Sequence, residues 1–159
     1  MNAVKTLDEI MTLRKQFKNE NKKVVFTNGV FDLIHAGHVD YLIKAKSLGD
    51  VLIVGMNSDA SVKRIKGNSR PILAEKERAF IISNLKPVDF VTIFEEDTPA
   101  NLIQNIIPDV LVKGADWSLD KIVGREIVEA NGGEVKAIQL VNDQSTSKII
   151  KSILEKYKA

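Results

Sequence analysis

Short apolar runs alternate with segments whose apolar residues recur at helical spacing, and this alternation leaves few folds open. Val24-Val25-Phe26-Thr27, Val51-Leu52-Ile53-Val54-Gly55-Met56, Phe90-Val91-Thr92-Ile93-Phe94, Val110-Leu111-Val112 and Val135 to Val141 read as strands. Between and around them, Leu7 to Asn19, Val39 to Leu48, Glu75 to Leu85, Pro99 to Ile106, Ile122 to Ala130 and Ser147 to Lys156 read as helices. Pro99 suits a first helical turn, and Asn131-Gly132-Gly133 marks a helix end. Strands without polar alternation are buried on both faces, which requires helices on both sides of a parallel sheet. Right-handed crossovers then make a doubly wound five-stranded α/β fold of Rossmann-like type. The 159 residues, 44% hydrophobic and 28% charged, suit a single domain spanning 1–159, with an N-terminal helix at about 7–19.

Several function classes are disfavoured. A net charge of +2 gives no argument for a nucleic-acid or membrane partner. No apolar run approaches the roughly 20 residues of a membrane span, and Met1 to Asn19 is mixed and charged, unlike a signal peptide. A cytoplasmic location is the expectation. There is no cysteine, hence no disulfide and no thiolate metal site. Neither a G-x-x-x-x-G-K-[ST] loop nor a G-x-G-x-x-G turn follows a strand, which argues against a P-loop kinase and a standard dinucleotide enzyme.

In a doubly wound fold ligands bind beyond the carboxyl ends of the strands, and the polar clusters fall there. After strand one, Thr27-Asn28-Gly29-Val30-Phe31-Asp32 runs into His35-Ala36-Gly37-His38, which holds both histidines of the chain. Gly37 would let the backbone pass close to a ligand. The second histidine falls at a helix start, where free N–H groups and the dipole favour anions. Two imidazoles three residues apart can share a face. Lone histidines are commonly surface or core fillers, and a zinc site would need a third ligand for which no His or Cys exists. The strand, glycine turn and helix start favour a phosphate-binding corner.

Strand two leads into Asp59, Lys63, Arg64, Lys66 and Arg70, either a solvated basic loop or a set of cations for a triphosphate. Strand four ends in Lys113-Gly114-Ala115-Asp116-Trp117, where Asp116 and Trp117 could flank a base or sugar, or Trp117 could anchor the loop. Ser145, Thr146 and Ser147 open the last helix as an N-cap, a phosphate site, or both.

Gly29-Val30-Phe31-Asp32-Leu33-Ile34-His35-Ala36-Gly37-His38 resembles the G-[VT]-F-D-[LI]-x-H-x-G-H motif of the cytidylyltransferase-like nucleotidyltransferases, and Ser145-Thr146-Ser147 resembles their hydroxyl motif. A closer likeness, over about Lys22 to Ile153, is to the D-glycero-β-D-manno-heptose 1-phosphate adenylyltransferases. It rests on Thr27 to Asp32, Asn57 to Ser61, Lys66 to Pro71, Phe94 to Pro99, Pro108 to Gly114 and Ala130 to Val135. In many bacteria that activity is fused to a sugar kinase; with no kinase half here, the resemblance implies the stand-alone form. Glycerol-phosphate cytidylyltransferases carry an Arg before the hydroxyl motif, where this chain has Val141-Asn142-Asp143-Gln144; Ser147 also replaces an expected Thr.

The resemblance implies attack of a sugar-phosphate oxygen on the α-phosphorus of ATP. His35 and His38, with Lys66, would be the catalytic residues. Lys63, Arg64, Lys66 and Arg70 would meet phosphates, Thr27, Asn28, Gly29 and Phe31 would supply backbone contacts, and Asp59, Lys113, Gly114, Asp116, Ser145 and Thr146 would complete the nucleotide site. Mg²⁺ would be held by phosphate oxygens rather than by protein ligands. The alternatives are a glycerol-phosphate or ethanolamine-phosphate cytidylyltransferase and a non-catalytic nucleotide-binding module. A homodimer is also expected. Asn84 to Phe90 falls where relatives place a subunit contact, although Leu85, Val88 and Phe90 could equally enter the chain's own core.

Overall fold

The structure is a computed structural model that describes residues 3–114, 121–139 and 145–157. The first helix, α1 (Leu7–Asn19), begins at a reciprocal cap. The Thr6 hydroxyl accepts from the Glu9 amide (3.3 Å), and the Glu9 carboxylate accepts from the Thr6 amide (2.8 Å). The chain then runs β1 (Val24–Gly29), α2 (Ala36–Lys46), β2 (Val51–Asn57), α3 (Asp59–Lys66), α4 (Glu75–Ser83), β3 (Phe90–Phe94), α5 (Ala100–Ile106), β4 (Val110–Gly114), α6 (Arg125–Ala130), β5 (Glu134–Ile138) and α7 (Thr146–Lys156).

The five strands pair in parallel in the order β3-β2-β1-β4-β5, the doubly wound arrangement expected from the apolar runs. Alternate strand residues feed two separate cores. Val25, Leu52, Val54 and Val112 pack with Tyr41 and Leu42 of α2 and Ile82 of α4. Val24, Phe26, Ile53 and Leu111 pack on the other face with Ile10, Ile103 and Val128, from α1, α5 and α6. Burial on both faces is what makes the inner strands uniformly apolar.

Three local differences from the sequence reading have physical causes. The basic stretch after strand two contains a helix, α3, because Ser58 caps its N-terminus through the Ser61 amide (3.1 Å) and Gly67, at φ 94°, ends it. Helix α2 starts at Ala36 rather than near Val39, so His35 is its N-cap residue and His38 lies in its first turn. Leu85 and Val88 pack against one core and Phe90 against the other, so these side chains serve the chain's own interior. The β3 edge is also occupied: Val91 donates to the Ala3 carbonyl (2.9 Å) and accepts from the Lys5 amide (2.8 Å). No helix among the described residues is long and apolar enough to cross a membrane.

Candidate active site

The register sets Gly29 at the end of β1 beside Met56 of β2, and β4 pairs with the other side of β1. The motif after β1 therefore opens where three strand ends meet. His35 and His38 stack, with ring centroids 3.9 Å apart and planes 30° from parallel. The shared face expected from their spacing is present. Nδ1 of both rings is buried and lacks a protein hydrogen-bond partner among the described residues, as does Oδ1 of Asn28. Burial lowers the pKa of His35 below its ordinary value. Burial, followed by repulsion from His35, lowers His38 to about 4. At neutral pH the pair is uncharged and retains unsatisfied ring nitrogens.

The surrounding polar groups divide into those committed elsewhere and those left open. Thr27 is fully buried between β2 and β4, its hydroxyl sharing a 2.7 Å hydrogen bond with the Tyr41 hydroxyl, so its side chain is not open to a ligand. Asp32 is buried and accepts from the amides of Ile72 (2.9 Å) and Leu73 (3.0 Å) and from Arg70 Nε (2.6 Å). Burial raises its pKa, but these donors outweigh that effect and the net shift is downward. Arg70 is thus a clamp on the motif, with its Nε already engaged.

Arg64 turns to the loop after β3, pairing with Asp97 (2.7 Å) and donating to the Glu95 carbonyl. Asp59 accepts from Arg78 (2.7 Å). Lys63 and Lys66 remain exposed on the last turn of α3, with no ion pair among the described residues. Lys113 of β4 reaches the Asn28 carbonyl (3.4 Å), bringing it and Gly114 to the end of β1. Ser145 caps α7 through the Lys148 amide (3.2 Å), and the Thr146 hydroxyl donates to the Leu33 carbonyl (3.4 Å). The hydroxyl cluster is therefore an N-cap that also lies against the histidine motif. Asp116 and Trp117 lie outside the described residues.

Sequence reasoning missed Arg78. It is fully buried, and its guanidinium donates to the carbonyls of Leu73 (3.0 Å), Val30 (2.6 Å) and Asn57 (2.9 Å) as well as to Asp59. It thereby joins the motif loop, the end of β2, the start of α3 and the Arg70 segment. The available signal was helical spacing: Arg78 and Ile82 share one face of α4, and that face is inward.

A cleft of about 540 Å³ lies elsewhere, beyond the end of β3, lined in part by Leu7, Arg64, Glu95, Glu96 and Asn101. Its acidic rim repels polyphosphate, whereas the histidine corner offers a helix N-terminus, with Lys113 close to the end of β1. Among the described residues no three His, Asp or Glu side chains converge as a metal site.

A parallel sheet with stacked histidines at the start of the helix that follows β1 is the arrangement expected of a nucleotidyltransferase. The chain belongs to the cytidylyltransferase-like family, which residues 26–152 match. It is 53% identical over 154 residues to the bifunctional protein HldE of Citrifermentans bemidjiense, covering 97% of this chain and 32% of that protein. It is 51% identical over 146 residues to HldE of Wolinella succinogenes, covering 92% and 30% respectively. The chain thus spans about a third of the length of these curated relatives. Among solved structures it resembles the lipopolysaccharide core biosynthesis protein of Thermoplasma volcanium, at TM-score 0.63 and 32% identity over 77% of this chain and 99% of that one. The pantoate-beta-alanine ligase of Francisella tularensis shares the fold alone, at TM-score 0.62 and 15% identity, over 92% of this chain and 69% of that one.

Proposed function

We propose that the protein transfers AMP from ATP to D-glycero-β-D-manno-heptose 1-phosphate, forming ADP-heptose and pyrophosphate. A phosphate oxygen of the sugar attacks the α-phosphorus, the α–β bridging P–O bond breaks, and its electron pair leaves with pyrophosphate. The observation that carries the reading is the stacked His35–His38 pair at a helix start, with both Nδ1 atoms buried and without a protein partner among the described residues. The nucleophile needs no general base, because a phosphomonoester with a second pKa of about 6 is mostly dianionic at pH 7. The site's task is then to position two polyanions and to stabilise charge on the α-phosphate and the leaving group.

In this scheme His35 and His38 donate to phosphate oxygens, while Lys63 and Lys66 meet the β- and γ-phosphates. Backbone groups of Asn28, Gly29 and Phe31 line the approach, with Lys113, Gly114 and the Ser145-Thr146 cap around the nucleotide. Mg²⁺ enters with ATP. The nearby carboxylates, Asp32 and Asp59, are already bound to Arg70 and Arg78, so the donor set fits a metal held by phosphate oxygens and not by the protein. The choice of heptose is supported by about 50% identity to the HldE proteins over nearly all of this chain. We also propose that the chain acts as one domain in the cytoplasm and as a homodimer.

Pyrophosphate release measured over a grid of ATP and CTP against heptose 1-phosphate, glycerol 3-phosphate and ethanolamine phosphate tests the reading. Turnover with ATP and heptose 1-phosphate should exceed every other pair. Preference for CTP with glycerol or ethanolamine phosphate would replace the assignment, and no release with any pair would leave a nucleotide-binding module.

A further inference from the structure

Phe31 stands one residue before the buried Asp32 clamp, with its backbone at φ 47°. That left-handed region is unfavourable for a bulky L-residue, and such conformations persist where the surroundings impose them. The Phe31 side chain is 5% exposed. Its ring lies over Gly29: a Cβ at position 29 would stand 3.0 Å from Phe31 Cε2, so glycine there makes room for the ring. The same ring lies against His38, with centroids 5.4 Å apart and planes at 60°. His38 therefore contacts both an aromatic ring and the stacked imidazole of His35.

We propose that Phe31 is a positioning residue whose ring, locked over Gly29 by the left-handed backbone, dries one face of His38 and fixes that imidazole for phosphate. The proposal rests on the reading of His38 as a phosphate donor. Among the described residues, the groups that bear on His38 are accounted for, and Tyr41 of the same helix is held by the Thr27 hydroxyl (2.7 Å). His35 shares its helical turn, Lys113 of β4 donates to the Asn28 carbonyl, Asp32 is taken by Arg70 and two amides, and Asp40 is paired with Lys44 (2.7 Å). Desolvation therefore dominates, in line with the fall of His38 to about 4. A polyphosphate arriving at this ring supplies the opposite charge that favours protonation. The donor then gains its charge together with its substrate.

With only two histidines in the chain, imidazole NMR of the free protein follows both titrations directly. Phe31→Gly relieves the backbone and removes the ring; Phe31→Leu keeps apolar bulk and serves if the glycine variant unfolds. In the wild-type protein His38 should titrate near 4. Phe31→Gly should raise its midpoint by roughly one pH unit or more, and Phe31→Leu should give an intermediate rise. In the same variants kcat should fall about tenfold while KM for ATP changes less. An unshifted His38 in a folded variant, or a wild-type midpoint near that of a free imidazole, would overturn the proposal. A shifted His38 with unchanged kcat would instead sink the catalytic reading of the histidine and leave the role of Phe31 in setting its environment intact.

Discussion

Replacing Arg78 by Met tests whether one buried guanidinium holds the site together. Methionine is similar in length and apolar, so the change removes donors while leaving little cavity. Four acceptors lose their partner: the carbonyls of Leu73, Val30 and Asn57, and the Asp59 carboxylate. Asn57 is buried, and an acceptor left unmet there costs about 2–3 kcal/mol. The Val30 and Leu73 contacts are partly buried and sit at the lower end of that scale, about 1 kcal/mol each. The Asp59 side chain is 32% exposed and regains water at little cost. The sum is about 4–5 kcal/mol, in the range for breaking a buried charged network. This is a large share of a typical domain stability of about 5–15 kcal/mol, yet leaves a folded protein to assay. Urea unfolding followed by circular dichroism at pH 7 reads the loss directly. Arg78→Lys should lose less than Arg78→Met, since a point charge with three donors meets fewer of the four acceptors. A loss below about 1 kcal/mol in Arg78→Met would refute the argument, because the acceptors would then have found other partners or water.

His35→Ala and His38→Ala should each reduce kcat strongly, by a barrier of about 2.7–4 kcal/mol, with smaller effects on ATP binding measured by calorimetry. Near-normal turnover in both would contradict the catalytic assignment. Lys63→Ala and Lys66→Ala should raise KM for ATP or sugar phosphate in steady-state assays, and Arg64→Ala much less, since Arg64 is paired with Asp97; wild-type kinetics in both lysine variants would make this turn a solvated face. His38 is held below its unfolded value near 6.5, so the unfolded chain binds the proton first. Its contribution to stability is complete above pH 6.5 and is lost as pH falls toward about 4. Urea midpoints should accordingly drop further over that window in the wild type than in His38→Gln, and parallel curves would show that the native environment does not resist protonation. Light scattering at micromolar concentration should report about twice the 17.7 kDa chain mass, and a clean monomer mass would refute the dimer.

The inner strands were legible because burial on both faces leaves a simple mark, an unbroken apolar run such as Val51 to Val54, whereas the edge strand β5, read as Val135 to Val141, is largely exposed and ends at Ile138. The histidine corner was legible because its parts are contiguous: strand, glycine turn and helix start lie within one short stretch of chain. What could not be read was partner choice across long sequence separations. Arg64 and Arg70 look alike as members of a basic segment, but one meets Asp97 and the other Asp32, each more than thirty residues away. Arg78 sits in Glu75-Lys76-Glu77-Arg78, which has the composition of a solvated helix start, and only tertiary packing turns it inward. Helix α3 was hidden for a related reason. Its charged sequence suggests a loop until the Ser58 cap and the Gly67 stop are recognised as a pair.

The two margins of the sheet are closed by different means, and this restricts how a second copy could approach. At β5, charge stands guard: Glu134 is flanked by Lys23 (2.9 Å) and Lys136 (2.7 Å), so an incoming strand must first strip hydrated ions. At β3, the amide and carbonyl of Val91 are already taken by residues 3 and 5 of the same chain. A neighbour cannot extend the sheet at that point without displacing them. A twofold contact on this side would have to be made by side chains, such as Phe80 at 69% exposure, and not by a ribbon running through both subunits. Association of that kind responds to single apolar-to-polar changes at those positions, while clipping the first six residues would bare the margin and invite the open-ended stacking that a closed pair avoids.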